Sequence, residues 1–486
     1  MKAHKGQTAA IILRLGSLLF AACRNERISD NPNLRLTFSA DSVWFDTVFT
    51  GAGSSTQAVM VYNRNTNAVT ISDVTLRGEY FRINLDGEND KNRLHDLTLN
   101  GGDSLFLFVR VHVPEQSENT PVLITDTISF FTNGNRQSIS LLAYGQNVHV
   151  IKTTGRKSVF GDMVFDNDKP WLVFDTVMCS GHATLKEGTT IYMHQNASLL
   201  FSGGLSARGT LDKPVRITGD RLDKLFAHVP YQAASGQWGG IWLIQRKEDI
   251  AHEDTLSYVE ILSGTTGLYC TSEETAQMPH VVIANSRIHN HAAYGIVLMR
   301  TNAEIWNTEV SNCASYCVYL SGGRHVLTHN TIASFFGWPY TNINIHTTGR
   351  EDVAALYINN LDKDNPKTEV IMRNNIVAGS RKNNLVLATP LPDYYEGGFT
   401  GNYLQCDSLP TKDRAQNTYG SAEDTVFVNT WYRYKEYVYY DFRLDSISPA
   451  RCAGDSAVLT DQRFATDRLG LPRSGRKPDA GCYTGE

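Results

Sequence analysis

The first third of the chain alternates between hydrophobic and polar positions in short runs, which predicts β-strands. The clearest run is SLFLFVRVHV, where Leu105, Leu107, Val109, Val111 and Val113 take every second position. A period of two places these side chains on one face of a strand. Turn-forming residues separate such runs at intervals of roughly 8–12 residues. The pattern is typical of an antiparallel β-sandwich.

From about residue 150 onward, whole phrases of the sequence recur instead. ANSRIHNHAAYGIVL at 284–298 is matched by WNTEVSNCASYCVYL at 306–320, a spacing of 22 residues. Two apolar columns follow multiples of this spacing: Ile283, Ile305, Leu327 and Ile371, and Ile288, Val310, Ile332 and Ile376. A fixed unit in which each turn matches only its neighbours is the signature of a solenoid. Because 22 residues hold three short strands and three bends, we predict a parallel β-helix.

A second strand in each repeat unit is predicted by tripeptides with apolar ends. They are IWL at 241–243, LYC at 268–270, IVL at 296–298, VYL at 318–320, INI at 343–345 and LVL at 385–387. If both ends of a tripeptide face inward, its centre faces outward. The outward column then contains Trp242, Tyr269, Val297 and Tyr319.

Asparagines mark the bends between strands. Asn285 and Asn290 recur 22 residues later as Asn307 and Asn312. Asparagine tolerates the left-handed backbone conformation that tight bends require. We expect the amides of equivalent asparagines to hydrogen-bond from coil to coil, which is a structural role.

The outward column of the first strand in each unit alternates in charge. It contains Glu260, Arg287, Glu309 and Thr331. Opposite charges attract across the normal spacing of neighbouring strands. We expect a salt-bridged ladder on the surface rather than a functional site.

Three segments of the chain resemble parts of known folds. TLKEGTTIYMHQNASLLFSGGLSARGTLDKPVRITG at 184–219 resembles the first coils of secreted bacterial right-handed parallel β-helix proteins with a pectate-lyase-like fold, and GQWGGIWL at 236–243 resembles the following coil. TDRLGLPRSGRKPDAGCYTG at 466–485 resembles their terminal cap. The first third resembles the immunoglobulin-like modules that precede catalytic or binding domains in such proteins. The β-helix fold hosts lyases, hydrolases, adhesins and inert stalks, so the resemblance implies a fold rather than a function.

The N-terminus predicts export and a lipid anchor. Two lysines precede a short apolar run that ends in FAAC at 20–23. The run is too short for a membrane span and is typical of a secretory signal. Small residues before a cysteine resemble a bacterial lipobox, which implies lipidation of Cys23, although Arg14 and Phe20 depart from the usual pattern. The resemblance implies a protein anchored in the outer membrane, on its periplasmic or its outer face. Plain signal cleavage, leaving Cys23 as a free thiol, is the alternative.

The expected fold class is all-β, in five consecutive segments. They are a lipoprotein signal peptide at 1–22, a tether at 23–30, an immunoglobulin-like β-sandwich at 31–148, a right-handed parallel β-helix at 150–405, and C-terminal coils with a cap at 406–486.

The outward aromatic residues are the first candidate for a binding site. Trp242, Tyr269 and Tyr319 would form a ridge, interrupted by Val297. Aromatic rings with a polar tip suit the apolar faces of sugar rings, so the ridge would bind a polysaccharide or a cell-envelope glycan. Alternatively, the rings stack on each other and only stiffen the coils. We expect glycan binding or surface scaffolding without catalysis.

The alternative function is a polysaccharide lyase or glycoside hydrolase. Insertions after the second strand bring charged residues to one edge, and the catalytic candidates are Glu273, Glu274, Arg300 and Arg324. In lyases of the resembling fold, acidic residues bind Ca²⁺ and a basic residue removes the proton α to a uronate carboxylate. Ca²⁺ is expected only under this alternative, and no other cofactor or metal site is expected. No motif of those lyases is matched residue by residue, so we favour a protein that is not an enzyme.

Composition removes other classes of function. The chain has 45 basic and 50 acidic residues, a net charge of −5, which argues against nucleic acid as a partner. The cysteines after Cys23 include no CxxC pair, so neither a zinc site nor a disulfide framework is indicated. An envelope protein is the expected partner if the β-helix is only an adhesive stalk.

One tripeptide pattern concerns modification. Ten Asp-Ser/Thr-apolar tripeptides, among them those beginning at Asp41 and Asp254, resemble acceptor sites for O-glycosylation in some Gram-negative bacteria. The same tripeptides fit ordinary turns that lead into strands. Both interpretations remain open.

Overall fold

A computed structural model of the chain shows an all-β protein. It describes residues 27–85, 87, 93–152, 158–226, 229–247, 249, 252–273, 277–336, 353–360, 367–388, 398–407, 409, 415–430, 440–473 and 477–485. Cys23, Glu274 and the predicted strand at 343–345 lie outside these residues. The chain divides into two compact units between Asn147 and Val148. No helix in the described part is long and apolar enough to cross a membrane.

The first unit contains nine strands. They are β1 (Thr37–Phe38), β2 (Ser42–Phe49), β3 (Gln57–Tyr62), β4 (Val69–Leu76), β5 (Phe81–Leu85), β6 (Arg93–Leu99), β7 (Ser104–Val111), β8 (Val122–Thr132) and β9 (Asn135–Gln146).

These strands form the predicted β-sandwich. A four-stranded sheet has the order β1-β3-β7-β5, and a five-stranded sheet has the order β2-β9-β8-β4-β6. Neighbouring strands are antiparallel except β2 and β9, which run parallel. Alternate side chains of both sheets share one apolar core, for example Leu107 and Val109 from β7 and Ile128 from β8. Leu105 is only partly buried at the rim of this core.

The second unit contains the remaining strands. In its first half they are β10 (His149–Ile151), β11 (Ser158–Phe160), β12 (Met163–Phe165), β13 (Trp171–Val173), β14 (Val177–Cys179), β15 (Ala183–Leu185), β16 (Thr190–Met193), β17 (Ser198–Phe201), β18 (Leu205–Arg208), β19 (Val215–Gly219), β20 (Lys224–Phe226), β21 (Val229–Pro230), β22 (Gly240–Gln245), β23 (Glu253–Ser257), β24 (Val259–Leu262), β25 (Leu268–Ser272) and β26 (His280–Ala284). In its second half they are β27 (Arg287–His291), β28 (Ile296–Met299), β29 (Asn302–Trp306), β30 (Glu309–Cys313), β31 (Val318–Ser321), β32 (Gly323–Thr328), β33 (Thr331–Ser334), β34 (Leu356–Asn359), β35 (Thr368–Arg373), β36 (Ile376–Gly379), β37 (Leu385–Leu387), β38 (Phe399–Thr400), β39 (Tyr403–Leu404), β40 (Thr418–Tyr419), β41 (Phe427–Asn429) and β42 (Asp441–Leu444). Within the described residues, short 3₁₀ helices are found at Tyr231–Ala233, Ser456–Thr460 and Gln462–Phe464.

These strands stack into three long parallel sheets, which confirms the predicted parallel β-helix. The first sheet has 11 strands, in the order β10-β13-β16-β19-β24-β27-β30-β33-β36-β39-β40. The second sheet has the order β11-β14-β17-β22-β25-β28-β31-β34-β37, and the third has β12-β15-β18-β23-β26-β29-β32-β35-β38. Each of the first nine coils gives one strand to each sheet, whereas β39 and β40 extend the first sheet alone. The inward side chains of all three sheets fill one apolar lumen.

The predicted apolar columns hold as far as Ile332 and then shift by one residue. In the first sheet Ile332 aligns with Val377, not with Ile376 as the spacing predicted. In the third sheet Met372 takes the place expected for Ile371. An insertion in a solenoid has only to end where the next strand can pair, so its length is not tied to the repeat.

The asparagine bends are confirmed, but only one of the two predicted amide pairs forms. All four predicted asparagines have a positive φ, between 47° and 65°. Asn307 Nδ2 donates to Asn285 Oδ1 at 3.1 Å. Asn290 Nδ2 donates instead to the carbonyl of Ala233, and Asn312 Oδ1 accepts the backbone N–H of the residue that follows β33. The second predicted pair is therefore wrong, because backbone groups bond to Asn290 Nδ2 and to Asn312 Oδ1 instead.

A longer amide ladder runs through the later coils. Asn330, Asn375, Asn402 and Asn417 each donate Nδ2 to the Oδ1 of the next, at 3.0, 3.0 and 2.8 Å. The oxygens of Asn375 and Asn402 also accept the backbone N–H of the preceding asparagine. The first three of these residues are fully buried, so the ladder satisfies the bend without water.

The C-terminal segment, residues 440–485, lies along the outer face of the first sheet. Arg468 Nε donates to the carbonyl of Ser286 at 3.2 Å. The Tyr483 hydroxyl donates to Glu309 Oε2 at 2.5 Å. The segment therefore covers the column that the sequence predicted to be a surface ladder.

Candidate functional site

The predicted outward column of the second sheet is present. Trp242, Tyr269, Val297 and Tyr319 are aligned on consecutive strands. The next strand in this sheet is β34, and it places Tyr357 beside Tyr319. The column therefore extends one aromatic residue further than the sequence predicted.

Two tyrosines at the preceding bend complete the surface. Tyr316 lies 6.1 Å from Tyr319 and 4.6 Å from Tyr357, measured between ring centroids. Tyr294 lies 6.1 Å from Tyr316. We call the whole group the aromatic face; it consists of Trp242, Tyr269, Tyr294, Tyr316, Tyr319 and Tyr357. All six side chains are half-buried.

Val297 does not break this surface in the way that the sequence indicated. Its side chain is only 3% exposed. Burial raises the pKa of both Tyr269 and Tyr319, and the nearby Tyr294 phenol adds a smaller effect in the same direction on each. Tyr294 therefore lies within electrostatic range of the aromatic residues on both sides of Val297, and the surface continues beside it.

The rings of the aromatic face lean on one another. The Trp242 and Tyr269 ring centroids are 4.5 Å apart with an interplanar angle of 34°, and the Tyr319 and Tyr357 rings are 5.5 Å apart and nearly parallel, at 6°. Rings stacked in this way use their faces on each other, which stabilises the coils by about 1 kcal/mol per pair. The Tyr269 hydroxyl donates to Met299 Sδ at 3.0 Å. Because the six side chains are half-buried, the exposed part of each ring faces solvent. The surface is thus suited to edge contacts rather than to flat stacking of sugar rings.

The catalytic candidates are only partly brought together. Glu273 Oε2 accepts the backbone N–H of Lys247 at 3.1 Å, and Arg300 Nη2 reaches the carbonyl of Glu273 at 3.4 Å. Arg324 lies on the third sheet, where its Nε is 3.5 Å from Glu369 Oε1. Glu273 and Arg300 are therefore neighbours, whereas Arg324 contacts Glu369 on a different sheet.

A charged cluster lies beneath the C-terminal segment, where the sequence predicted a surface ladder. Its members are Arg287, His289, Glu309, Ser311 and Tyr483. Glu309 is only 2% exposed. Its Oε1 accepts Arg287 Nε at 3.0 Å and Ser311 Oγ at 2.6 Å, in addition to the bond from Tyr483 to Oε2. The predicted pairing of Arg287 with Glu309 is confirmed, and the predicted surface position is wrong.

The positive charges in this cluster compensate for the burial of the Glu309 carboxylate. Burial alone would raise the pKa of Glu309, but its cationic neighbours, Arg287 first, outweigh it and hold the pKa at about 2. Burial lowers the pKa of His289 well below its usual value, so this imidazole is neutral. Its Nδ1 lies 2.7 Å from Ser311 Oγ and donates to it, because the Ser311 proton is directed to Glu309. The serine is thus held as a bridge to a buried carboxylate, which suits attachment of the C-terminal segment better than nucleophilic catalysis.

Three further histidines lie inside the coils. His291 and His325 are fully buried, and burial lowers the pKa of each to about 4. His329 is buried as well, and its pKa is lowered well below the usual value for the same reason. Among the described residues, no three His, Cys, Asp or Glu side chains converge as metal ligands.

A cavity of about 150 Å³ lies between the third sheet and the two C-terminal 3₁₀ helices. The Arg463 guanidinium lies 5.0 Å from the centroid of the Trp306 ring at its wall. Arg463 also bonds to Glu304 at 3.0 Å and to Asp461 at 2.8 Å. These carboxylates neutralise the guanidinium, and the arrangement fastens the helices to the sheet.

Three residues of the aromatic face were not predicted from the sequence. Tyr294 and Tyr316 stand in the repeated phrase itself, and their spacing of 22 residues was the available signal. Tyr357 was missed because the strand was placed at 343–345 instead of at Leu356–Asn359.

Comparisons with known proteins leave the family open. No protein-family model matches the chain, and no curated protein matches it. Among solved structures, it is similar over 26% of its length to a protein of unknown function from Porphyromonas gingivalis W83, with 14% identity and a TM-score of 0.18. A family 123 glycoside hydrolase from Clostridium perfringens matches 28% of the chain with 8% identity and a TM-score of 0.19, and the periplasmic chaperone SfaE matches 26% with 11% identity and a TM-score of 0.16. The chain covers 50%, 31% and 66% of these proteins respectively, so each is a likeness to part of a structure.

Proposed function

We propose that the protein is an envelope-anchored scaffold without catalytic activity, and that the aromatic face is its glycan-binding surface. The observation that carries the proposal is the alignment of four aromatic side chains on strands of one sheet, joined by Tyr294 and Tyr316 at the bend before it. Tyrosine and tryptophan supply contact area at low entropic cost, and tyrosine adds a hydroxyl group that bonds to polar ligands. A polysaccharide, which repeats along its own length, matches a surface that repeats from coil to coil.

The anchor is part of the same proposal. The FAAC sequence that ends at Cys23 resembles a lipobox, and the mature chain would then be held in the outer membrane by lipid on Cys23. Such a protein would present a long, stiff β-helix to the medium or to the periplasm. No cofactor is required for this role.

The test is binding of polysaccharides to the chain from residue 23 with Cys23→Ser, which keeps every described residue. An array of acidic and neutral polysaccharides should show saturable binding to one family. Tyr319→Phe keeps the ring stacked on Tyr357 and removes the hydroxyl, which also bonds to Asn359, so it should weaken binding about three- to tenfold and lower the stability by about 1 kcal/mol. Tyr144→Phe, at a half-buried tyrosine of the sandwich, is the matched control. A blank array would overturn the glycan proposal and leave a scaffold for an envelope protein.

One contact favours a second candidate function. Arg300 Nη2 donates to the backbone carbonyl of Glu273 at the edge of the second sheet, which brings the residue that carries the acidic group next to the basic group that a polysaccharide lyase or hydrolase would need. Release of unsaturated uronates or of new reducing ends, measured with and without Ca²⁺, tests this activity. Activity that is lost in Arg300→Gln would establish the enzyme and refute the scaffold without catalysis.

A further inference from the structure

The outer face of the four-stranded sheet of the sandwich carries an exposed apolar strip. Phe106 and Phe108 of β7 are 53% and 38% exposed. Their rings are stacked, with centroids 5.7 Å apart and an interplanar angle of 9°. On the neighbouring strand β3, Met60 lies opposite Phe106 and Ala58 lies opposite Phe108. Four apolar side chains thus adjoin on a face that an antiparallel sheet ordinarily gives to polar residues.

Arginines border this strip. Arg82 of β5 lies directly opposite Arg110 of β7, next to Phe108 along the strand. Arg82 Nη1 donates to two backbone carbonyls, at 2.7 and 2.8 Å, which hold the side chain without cancelling its charge. At the other end of the strip, the Arg64 guanidinium lies 4.5 Å from the centroid of the Tyr62 ring.

The strip begins close to the end of the sandwich where the chain enters. Ile28 forms an isolated bridge to Ala68 at that end. Asn63 connects this point to β7, because its side chain donates to the turn just before Ala68 and its backbone N–H donates to the carbonyl of Asp103. Phe106 follows Asp103 by three residues, a distance of about 10 Å along an extended strand.

The anchor would keep this end near the membrane. Only four peptide units separate Cys23 from the first described residue, Arg27. A chain of that length reaches at most about 14 Å when fully extended. If Cys23 carries lipid, Arg27 cannot move further than this from the lipid headgroups, and the end of the sandwich that carries Ile28 stays close to the membrane.

We propose that this phenylalanine–arginine face (Met60, Arg82, Phe106, Phe108 and Arg110) docks on an anionic phospholipid bilayer. The aromatic rings enter the boundary between headgroups and acyl chains, and the guanidinium groups bond to lipid phosphates. The inference rests on the lipid anchor of the proposed function for its effective concentration, while the chemistry of the face belongs to the sandwich itself. Docking fixes the orientation of the sandwich relative to the membrane.

Vesicle co-sedimentation tests the proposal on the chain from residue 23 with Cys23→Ser, which carries no lipid. The chain should sediment with phosphatidylcholine vesicles that contain about one quarter phosphatidylglycerol, and less with pure phosphatidylcholine, because the arginines add attraction to anionic lipid. Phe106→Ser combined with Phe108→Ser should lower the vesicle-bound fraction at least fivefold. Trp44→Ser, which removes an equally exposed aromatic residue (56%) from the other sheet, should leave it unchanged.

The proposal is overturned if the parent chain does not sediment with the anionic vesicles at millimolar lipid, or if the Phe106 and Phe108 variant binds as well as the parent. Equal losses in the Trp44 variant would also overturn it, since the effect would then come from general hydrophobicity. Circular dichroism of each variant confirms that the exposed substitutions leave the sandwich folded. Mass spectrometry of Cys23 from membranes tests the anchor separately: an unlipidated Cys23 with intact vesicle binding refutes the anchor and retains the docking face.

Discussion

Acid should destabilise the β-helix through histidines sealed in its lumen, and His325 offers the cleanest test. Its side chain has no solvent exposure and lies between Ala303 and Val370 of the adjoining coils. Neither ring nitrogen has a hydrogen-bond partner of normal geometry within the described residues. Burial lowers the pKa to about 4, against a smaller opposite effect of the Gly322 carbonyl. An unfolded histidine has a pKa of about 6.5.

The sign and size of the effect follow from these two pKa values. Above about pH 6.5 the His325 imidazole is neutral in both states, so it adds no pH dependence. Between pH 6.5 and 4 the unfolded chain binds a proton that the folded chain refuses, and stability is lost as the pH falls. The full loss is about 3.4 kcal/mol, and about 2 kcal/mol of it is reached at pH 5.

His325→Leu should therefore remove about 2 kcal/mol from the loss of stability between pH 7 and pH 5. Leucine is of similar size, and the substitution forfeits no hydrogen bond of normal geometry, so stability at pH 7 should be equal or higher. Urea unfolding followed by tryptophan fluorescence at the two pH values measures the difference. Leu327→Ala, two residues along the same strand, is equally buried and should cost the same at both pH values because it titrates nothing. If His325→Leu loses as much stability on acidification as the parent chain, the imidazole is not buried in its neutral form and the reasoning fails.

Three further outcomes are expected. Asn375→Ala should lower the free energy of unfolding by about 3 kcal/mol in urea titrations, because it leaves buried partners in the amide ladder unsatisfied, and an unchanged midpoint would show that the ladder contributes nothing. Tyr483→Phe removes the bond to a buried carboxylate and should weaken attachment of the C-terminal segment by about 2 kcal/mol, seen as faster amide hydrogen exchange across 440–485, whereas unaltered exchange would contradict the role assigned to the cluster. If the Asp-Ser/Thr-apolar tripeptides are glycosylated, mass spectrometry of the exported protein should find sugar at exposed Ser446 but none at buried Thr255, and a modified Thr255 would show attachment before folding.

Much of the fold could be predicted from the sequence because a solenoid is determined by contacts between neighbouring coils. The alignment of Ile288, Val310 and Ile332 required only the repeat spacing, and the structure confirms it. The strand that pairs with β31 begins at Leu356 and not at 343, because an insertion hides the repeat spacing; residues 343–345 themselves lie outside the described part of the chain. The local sequence pattern shows that a strand follows an insertion, but it does not show at which residue that strand begins.

In the candidate site, too, the features that depend on neighbouring residues could be predicted, and those that depend on distant segments could not. Trp242, Tyr269 and Tyr319 were aligned correctly from period-two alternation within each strand. The burial of Glu309 could not be predicted, because the residue that covers it, Tyr483, is 174 positions away in the sequence. The charge pattern predicts which side chains on neighbouring strands form pairs. Their solvent exposure depends on segments outside the repeat, such as the one that contains Tyr483.

The C-terminal segment also imposes an order of events on the making of the molecule. Arg468 bonds to Ser286, which precedes it by 182 residues in the sequence. The coils are therefore synthesised before the segment that covers them. Since synthesis delivers the N-terminal part first, Glu309 and Arg287 remain in water until the last residues arrive, and the sealed cluster forms as the final step. A chain cut short before residue 440 would keep a charged stripe open on its first sheet. The exposed charged stripe would therefore distinguish incomplete chains from complete ones.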